Sequence, residues 1–132
     1  MKISTRGRYA LRLMIDLAQN GEDGYVPLRD IAQRQGISAK YLEQIVPMLV
    51  RAGLVRSIRG NSGGYRLAAE PENISAGDIL RAAEGSLAPI ACLEDNDCPK
   101  RDECCTISFW SGLDNVITEY VDGFRLSELA ER

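Results

Sequence analysis

The chain of 132 residues contains no histidine, and only 6% of its residues are aromatic. Without histidine, the protein has no imidazole to serve as a metal ligand or as the general base of a catalytic site. The sequence also lacks a Cys-X-X-Cys pair and a glycine-rich phosphate loop. A redox enzyme with a cysteine nucleophile is therefore an unfavoured alternative, and we expect no enzymatic activity.

Long hydrophobic runs are missing as well. No apolar stretch approaches the roughly 20 residues that span a membrane. The opening sequence MKISTRGR is not followed by an apolar stretch with a small-residue cleavage site, so we expect no signal peptide. The sequence thus predicts a cytoplasmic protein with no membrane partner. In that compartment, clustered cysteines are more often metal-binding or redox-active than disulfide-bonded.

Charge is divided unevenly along the chain. Residues 1–66 carry eleven basic and five acidic side chains, a net charge of +6, whereas residues 67–132 carry five basic and fourteen acidic ones, a net charge of −9. The basic half is suited to face phosphates, although the overall net charge is −3. An ordinary uneven distribution of solvated charge is the alternative.

The apolar spacing in the first 51 residues predicts three helices, over 4–19, from Pro27 through Arg34, and over 39–51. Ser38 is suited to cap the third helix, and Pro47 lies inside its second half, although proline is a residue type that kinks or ends helices. Ala32 allows the second and third helices to cross closely, and Gly36 permits a left-handed turn between them. This pattern is typical of a helix-turn-helix, with a generic helical hairpin as the alternative.

A β-hairpin is predicted directly after the third helix. Two β-like runs, 54–58 and 65–67, flank the turn sequence RGNSGG. A hairpin in this position is a wing, and its tip carries Arg59, which is suited to the negative potential of a minor groove. A simple surface hairpin with solvated arginines is the alternative.

The C-terminal half is predicted to hold a fourth helix from Ser75 that stops at Gly85, and a long helix from Ser108 to about Leu129. An apolar stripe on the long helix indicates a two-fold dimer interface, because symmetric DNA readers need a dimer. Its members are Trp110, Leu113, Ile117, Tyr120 and Phe124, widened by Val116 and Val121. Packing of this helix on its own domain is the alternative.

All four cysteines lie between positions 92 and 105, a stretch that we call the cysteine segment. Cys92, Cys98 and Cys104 are separated by five residues each, and Cys105 follows directly. Thiolates gathered in one polar loop indicate a soft metal centre, either an iron–sulfur cluster or zinc. The spacing does not match the short paired knuckles of structural zinc sites, and a disulfide-based thiol switch is a third alternative.

The sequence resembles the Rrf-two family of bacterial winged-helix transcription regulators, and within it the IscR-like branch. The resemblance covers nearly the whole chain. It is carried by the opening MKISTRGRYA, by YLEQI from Tyr41, by GNSGGY from Gly60, and by the three evenly spaced cysteines.

The resemblance implies a homodimer with a 2Fe–2S cluster, delivered by the iron–sulfur assembly machinery, whose occupancy alters operator binding. It assigns Cys92, Cys98 and Cys104 as ligands. The family's histidine ligand falls at Ile107, which cannot ligate, so the fourth position is open to Cys105, a carboxylate, or an exogenous thiol or water. The nitric-oxide-sensing branch is less favoured, because its carboxylate ligand falls at Arg8.

For double-stranded operator DNA, the first turn of the third helix supplies Lys40 and Tyr41, and Gln44 can pair bidentately with adenine. The resemblance implies that Glu43 acts as a specificity gate, with simple solvation as the alternative. The full set of expected DNA contacts is Ser38, Lys40, Tyr41, Glu43, Gln44, Arg56, Arg59 and Ser62.

These patterns together predict a mainly α protein. We expect a winged helix-turn-helix domain over 1–85, a cluster-binding cysteine loop over 86–106 and a dimerisation helix over 107–132. Some members of the family that the chain resembles are cofactor-free regulators of cysteine metabolism, which is the functional alternative.

Overall fold

The computed structural model describes residues 2–22, 24–60, 63–95 and 98–131, without the side chain of Asp95. Helices dominate this part of the chain, together with one antiparallel hairpin and 3₁₀ turns at Pro71–Asn73 and Arg101–Glu103. The elements are α1 (Thr5–Asn20), α2 (Leu28–Gln35), α3 (Ala39–Arg51), β1 (Val55–Ile58), β2 (Gly64–Leu67), α4 (Ala76–Glu84), α5 (Cys92–Asp95), α6 (Ile107–Gly123) and α7 (Leu126–Ala130). No helix within these described ranges is long and apolar enough to cross a membrane.

Helices α1 to α4 surround one core. Apolar side chains at helical spacing on α1 and α3 face each other across it, and Leu13, Met14, Leu42 and Ile45 have no exposed surface. Gly36 ends α2 in the left-handed conformation (φ 66°), and the backbone N–H of Ile37 donates to the carbonyl of Ala32. The helix-turn-helix prediction is confirmed in its geometry.

Helix α3 continues through Pro47 to Arg51 without interruption. Proline removes one N–H donor from the helix, but Pro47 is exposed, whereas its neighbours Val46 and Leu49 are buried in the core. Tertiary packing on both sides of the proline holds the last turn in place. The predicted helix over 39–51 is therefore confirmed, with Pro47 inside it.

The wing consists of β1 and β2, paired from Val55↔Leu67 to Ile58↔Gly64. Val26 adds a single bridge to the outer side of β2, exchanging two backbone hydrogen bonds of 2.8 Å with Tyr65. A Cβ at Gly64 would lie 2.9 Å from the backbone nitrogen of Pro27 and closer still to the carbonyl of Val26, so this approach requires glycine. The wing is thereby attached to the start of α2.

Two buried polar contacts fix α1. The carboxylate of Asp16, which is fully buried, accepts both arms of the Arg34 guanidinium at 2.8 and 3.0 Å and the side-chain amide of Gln35 at 3.0 Å. At the other end of α1, Glu84 of α4 accepts from the backbone N–H groups of Ser4 (2.9 Å) and Gly7 (3.1 Å). The latter contact satisfies N–H groups that a helix start leaves unpaired.

The C-terminal helix ends at Gly123, so the expectation of one helix to about Leu129 is wrong. Phe124 has an extended backbone, and Arg125 forms a β-bridge with Ser75. The amide of Ala76 donates to the carbonyl of Phe124 and that of Leu126 to Ile74, both at 2.8 Å. The chain thus turns back and buries Leu126 in the core through α7.

Helix α6 leans against α4 near its end. A Cβ at Gly77 would collide with the Asp122 carboxylate, so glycine allows the two helices to approach. Arg81 binds the same carboxylate through two contacts of 2.7 and 3.1 Å. This hydrogen-bonded pairing raises the pKa of Arg81, although both partners remain partly exposed.

Candidate DNA-binding surface and cysteine segment

Helix α3 presents one polar face to solvent. Lys40, Glu43 and Gln44 are exposed on it, while the opposite face is buried. Ser38 caps the helix by accepting from the backbone N–H of Tyr41 at 3.0 Å. These side chains can all be reached by a large ligand, and they lie in the first turns of the helix, which is where helix-turn-helix proteins contact base edges.

Tyr41, which was predicted only to contact DNA, also packs within the protein. Its ring packs edge-to-face on Tyr9 of α1, with centroids 5.5 Å apart and planes at 84°. The side chain is only half-buried, so a DNA contact stays a prediction, but the ring also joins the recognition helix to α1.

The tip of the wing carries Arg59, which is exposed and forms no ion pair with the described residues. Arg59 and Gly60 border a shallow depression that also includes Leu28 and Arg29 at the start of α2. The wing tip and the helix-turn-helix therefore share one continuous surface. Ser62, the other residue expected at the tip, lies outside the described residues.

Arg56 lies on the outward face of the hairpin, directly opposite Arg66. Arg66 in turn stacks over the Tyr25 ring, with its guanidinium carbon 5.6 Å from the ring centroid. Arg56 and Arg66 line an open cleft shared with Leu17 of α1 and with α7, away from the depression beside Arg59. Sequence reasoning named Arg56 for DNA binding but missed its cross-strand partner, which the alternation of β2 could have indicated.

The four cysteines are free thiols. Cys92, Cys104 and Cys105 are exposed, and Cys98 is half-buried. Cys92 begins the short helix α5, Cys98 precedes the 3₁₀ turn Arg101–Glu103, and Cys104 and Cys105 follow that turn. Apolar packing does not explain these cysteines, because none of them belongs to the core cluster.

Cys104 has a distinct electrostatic environment. Its sulfur lies 3.5 Å from the Thr106 hydroxyl, and hydrogen bonds from the Thr106 side chain and backbone lower the pKa of the Cys104 thiol. A lowered pKa favours the thiolate, the form that binds metals. Ile107, at the position where the resembled branch has histidine, is the first residue of α6.

The cysteine segment has the donor atoms of a thiolate-bound centre, but these atoms lie apart from one another. Free, accessible thiols are the ligands that iron–sulfur clusters and zinc prefer. Within the described ranges, however, no three cysteine or carboxylate side chains are gathered closely enough to hold a metal ion. Binding would therefore require the segment to close around its ligand.

Helix α6 has a row of exposed apolar side chains, which we call the α6 face: Phe109, Leu113, Val116 and Tyr120. Their spacing of four, three and four residues places them on one side of the helix. Phe109 and Val116 are 65% and 63% exposed, and Tyr120 is 69% exposed, which is unusual for large apolar groups on one side of a helix.

The expected stripe is therefore split by the structure. Leu113 and Tyr120 belong to the α6 face, whereas Trp110 and Ile117 are half-buried beside it, and Phe124 lies just beyond the helix. Phe109 was missed, although its place four residues before Leu113 is visible in the sequence. It stacks edge-to-face on Trp110, with centroids 5.0 Å apart.

Comparison with known proteins identifies the family of this fold. The family profile described as Rrf2, iron-dependent transcriptional regulator, matches residues 3–132. IscR of Aliivibrio salmonicida, an HTH-type transcriptional regulator, is 42% identical over 129 residues, which cover 98% of this chain and 77% of that protein. CymR of Bacillus subtilis, also an HTH-type transcriptional regulator, is 45% identical over 130 residues, which cover 98% of this chain and 90% of that protein.

Solved structures of CymR and of IscR are similar to this chain to nearly the same degree. The structure of CymR, the global cysteine regulator of B. subtilis, matches with a TM-score of 0.80 at 44% identity, covering 99% of this chain and 97% of that one. The IscR structure from T. potens matches with a TM-score of 0.78 at 41% identity, covering 99% and 87%. The winged helix-turn-helix fold and these matches lead to one conclusion: the chain belongs to the Rrf2 family and is a transcriptional regulator.

Proposed function

We propose that this regulator senses iron–sulfur status through a 2Fe–2S cluster bound by Cys92, Cys98 and Cys104, and that cluster occupancy changes its affinity for operator DNA. The observation that carries the proposal is the group of four free thiols within the cysteine segment, none of which contributes to the core. The iron–sulfur assembly machinery would supply the cluster in the reducing cytoplasm, where such thiols persist.

Different residues of the chain would bind the cluster and connect it to the DNA-binding helices. The three thiolates would hold the cluster, which when bound would supply a redox-sensitive negative charge to the segment that follows α4 and precedes α6 in the chain. Arg81 and Asp122 join these two helices, so the ion pair would transmit a rearrangement of the cysteine segment to α4. A change in the segment can thereby alter how α6 is held against α4.

The fourth ligand is proposed to be Cys105. It is exposed, free and adjacent to Cys104, and its environment offers no packing reason for a thiol. Ile107 has no donor atom, so this chain cannot use the histidine of the resembled branch. A carboxylate or an exogenous thiol at this position is the alternative that the same experiment separates.

DNA recognition is proposed to use the exposed face of α3 and the wing tip. Gln44 would pair with an adenine, Lys40 would contact phosphate, and Arg59 would enter the minor groove. Glu43 would act as the specificity gate, since a carboxylate facing DNA is tolerated only where a cytosine amino group donates to it. Ser38, Tyr41, Arg56 and Ser62 complete the proposed set.

The active species is proposed to be a homodimer formed through the α6 face. Exposed apolar groups in a continuous row on a helix need a partner, and a two-fold axis would place two recognition helices on a palindromic site. Trp110, Ile117 and Phe124 would border this interface.

A second candidate is a cluster-free regulator of cysteine metabolism or a thiol or zinc switch. The similarity to the B. subtilis global cysteine regulator, at 44% identity and a TM-score of 0.80, favours it as much as the IscR matches favour the cluster. The nitric-oxide-sensing alternative is weaker, because a guanidinium at Arg8 is not an iron ligand.

Anaerobic gel-shift titrations on one operator panel test the proposal. Protein reconstituted with iron and sulfide and the same protein stripped of metal should differ at least fivefold in affinity for one operator class, which corresponds to the about 1 kcal/mol typical of allosteric coupling. Cys105→Ser should bind a more labile cluster with a shifted visible spectrum, whereas Cys92→Ser should bind none. Equal affinities for loaded and stripped protein would favour the cluster-free candidate.

A further inference from the structure

The N-terminal part of α1 exposes charge of one sign only. Lys2, Arg6, Arg8 and Arg12 are all exposed, and none of them forms an ion pair with the described residues. The single carboxylate of α1, that of Asp16, is fully buried and already paired within the fold. All charge that α1 exposes is therefore positive, and we call Arg6, Arg8 and Arg12 together the α1 arginines.

The α1 arginines occupy positions that are unfavourable for the helix itself. Arg6 and Arg8 lie in the first turn of α1, where the helix macrodipole repels cations, and this turn contains no acidic residue. Arg8 and Arg12 are four residues apart, and like charges at that spacing repel each other on a helix surface. The stability of α1 therefore does not account for these arginines, whereas binding of an anion does.

A contact between two tyrosine rings places this surface beside the recognition helix. Tyr41 lies in the first turn of α3, and its ring centroid is 5.5 Å from that of Tyr9 on α1. Residues three apart are neighbours on a helix surface, so Arg6 and Arg12 lie on either side of Tyr9 along α1. Both arginines therefore border the end of α3 that carries Lys40 and Tyr41.

Glu84 of α4 fixes the start of α1 in this place. Its carboxylate accepts from the backbone N–H groups of Ser4 and Gly7, at 2.9 and 3.1 Å. A Cβ at Gly7 would collide with this carboxylate, so glycine allows the close approach. Because Glu84 already satisfies N–H groups of the helix start, the donors that this surface offers to an anion are the guanidinium groups.

We propose that the α1 arginines bind phosphate groups of the DNA strand that borders the recognition helix. The inference rests on the proposed function and extends its DNA contacts to a helix outside the helix-turn-helix and the wing. A recognition helix in the major groove has a phosphate backbone on each side, so an element packed against its first turn lies over one of them. Guanidinium groups pair bidentately with phosphate, and such contacts position the protein on the duplex.

The test measures how DNA affinity depends on salt, because each phosphate contact releases counterions. Arg6→Gln combined with Arg12→Gln, the α1 variant, removes two charges but keeps residues that favour a helix. Lys100→Gln combined with Arg125→Gln is the matched control, because it removes two exposed cations from the acidic half of the chain. Each full-length protein is titrated against the tightest-binding duplex of an operator panel and against a scrambled duplex of the same length, at salt concentrations from about 50 to 200 mM.

In the α1 variant, the slope of log affinity against log salt concentration should become shallower by about 0.9 for each lost contact, hence by about 2 for each protomer in the complex. Affinity for the operator and for the scrambled duplex should fall by the same factor, on the order of tenfold at physiological salt, because phosphate contacts carry no sequence information. The control should keep the slope and the affinities of wild type. Melting temperature and sedimentation of the α1 variant should match those of wild type.

Five results would contradict the inference in different ways. If wild type binds none of these duplexes, the proposed function itself fails. If wild type binds and the α1 variant keeps the wild-type salt slope, only the role of the α1 arginines fails. A loss confined to the operator duplex would assign them to base recognition, and an equal loss in the control would reduce the effect to net charge. An α1 variant that sediments as a monomer would place this surface in the interface between two copies of the chain.

Discussion

Two regions of this chain differ in how much of their surface is packed. The first region consists of α1 to α4 and the wing, and the second consists of the cysteine segment and α6. Helices α1, α3 and α4 each bury several side chains, among them Leu13, Leu42 and Ile79, which have no exposed surface. Helix α6 is the longest helix of the described ranges, at 17 residues, yet none of its residues is buried. The first region has a packed core, to which α7 adds Leu126, whereas α6 and the cysteine segment expose apolar surface and free thiols.

This contrast fits the division between DNA binding and sensing that we propose. The DNA-binding region needs a fixed geometry, which its core and the Asp16–Arg34 contact supply. The region that we propose to sense a signal is held to it mainly by α7 and by the partly exposed Arg81–Asp122 pair. Regions that move in regulation are drawn from such weakly packed parts of a fold.

The largest effect is expected from breaking the α6 face. Val116→Asp combined with Tyr120→Asp should weaken the dimer at least about 1000-fold, because interface anchors contribute about 2 kcal/mol or more each. Both side chains are exposed, so the fold of the single chain should remain. Sedimentation should show monomers, and operator affinity should fall with dimer formation.

Asn115→Asp combined with Thr118→Asp is the control for added charge. Both positions are exposed on α6 but point away from the α6 face. This variant should remain dimeric. A stable dimer in the Val116 and Tyr120 variant would place the interface elsewhere on the molecule.

The next largest effect is expected from the contact between Arg34 and the buried Asp16 in the first region. Arg34→Gln should lower the free energy of unfolding by about 2 kcal/mol, because it leaves the buried Asp16 carboxylate without its charged partner. The value is reduced from that of a fully buried pair, since Arg34 is itself 39% exposed. Arg29→Gln removes an exposed pairing with Asp30 at 3.9 Å and should change stability by less than about 0.5 kcal/mol. Urea unfolding of both variants measures the difference, and equal losses would contradict this account of Asp16.

A smaller effect is expected at the wing. Arg59→Ala should weaken operator binding about tenfold, the size of one groove contact. Lys100→Ala, which removes an exposed cation from the acidic half, should leave affinity within about twofold. An unchanged affinity for Arg59→Ala in a gel-shift titration would remove the wing tip from the interface.

The smallest effect is expected at the junction of the two regions. A double-mutant cycle with Arg81→Met and Asp122→Asn should give a coupling energy of about 1 kcal/mol or less, because both side chains are about 40% exposed. Thermal melting of the four proteins measures it. A coupling of several kcal/mol would show that α6 is attached more firmly than its exposure indicates.

Sequence patterns predicted the first region closely, because its signals are local. The predicted bounds of α3 agree with Ala39–Arg51, and Ser38 caps it as expected. Each strand of the wing differs from its predicted run by one residue, at the residue where it begins. Apolar periodicity, caps and turn residues act over a few positions, so they can be read from a single sequence.

The second region was predicted less well, because long-range contacts decide it. The end of α6 depends on a bridge between Arg125 and Ser75, residues fifty positions apart, and no local signal announces it. The capping of α1 by Glu84, a residue of α4, is also invisible in local patterns. The spacing of the cysteines indicated a metal centre, but a ligand that is not part of the chain decides how they come together.

The central claim, that a 2Fe–2S cluster completes the cysteine segment, is tested most directly by iron and sulfide analysis of anaerobically purified protein with its visible spectrum. We predict about two irons and two sulfides per chain, with visible absorption that Cys92→Ser abolishes. A colourless wild-type protein that contains zinc or no metal, or a Cys92→Ser protein with the same iron content as wild type, would contradict the claim.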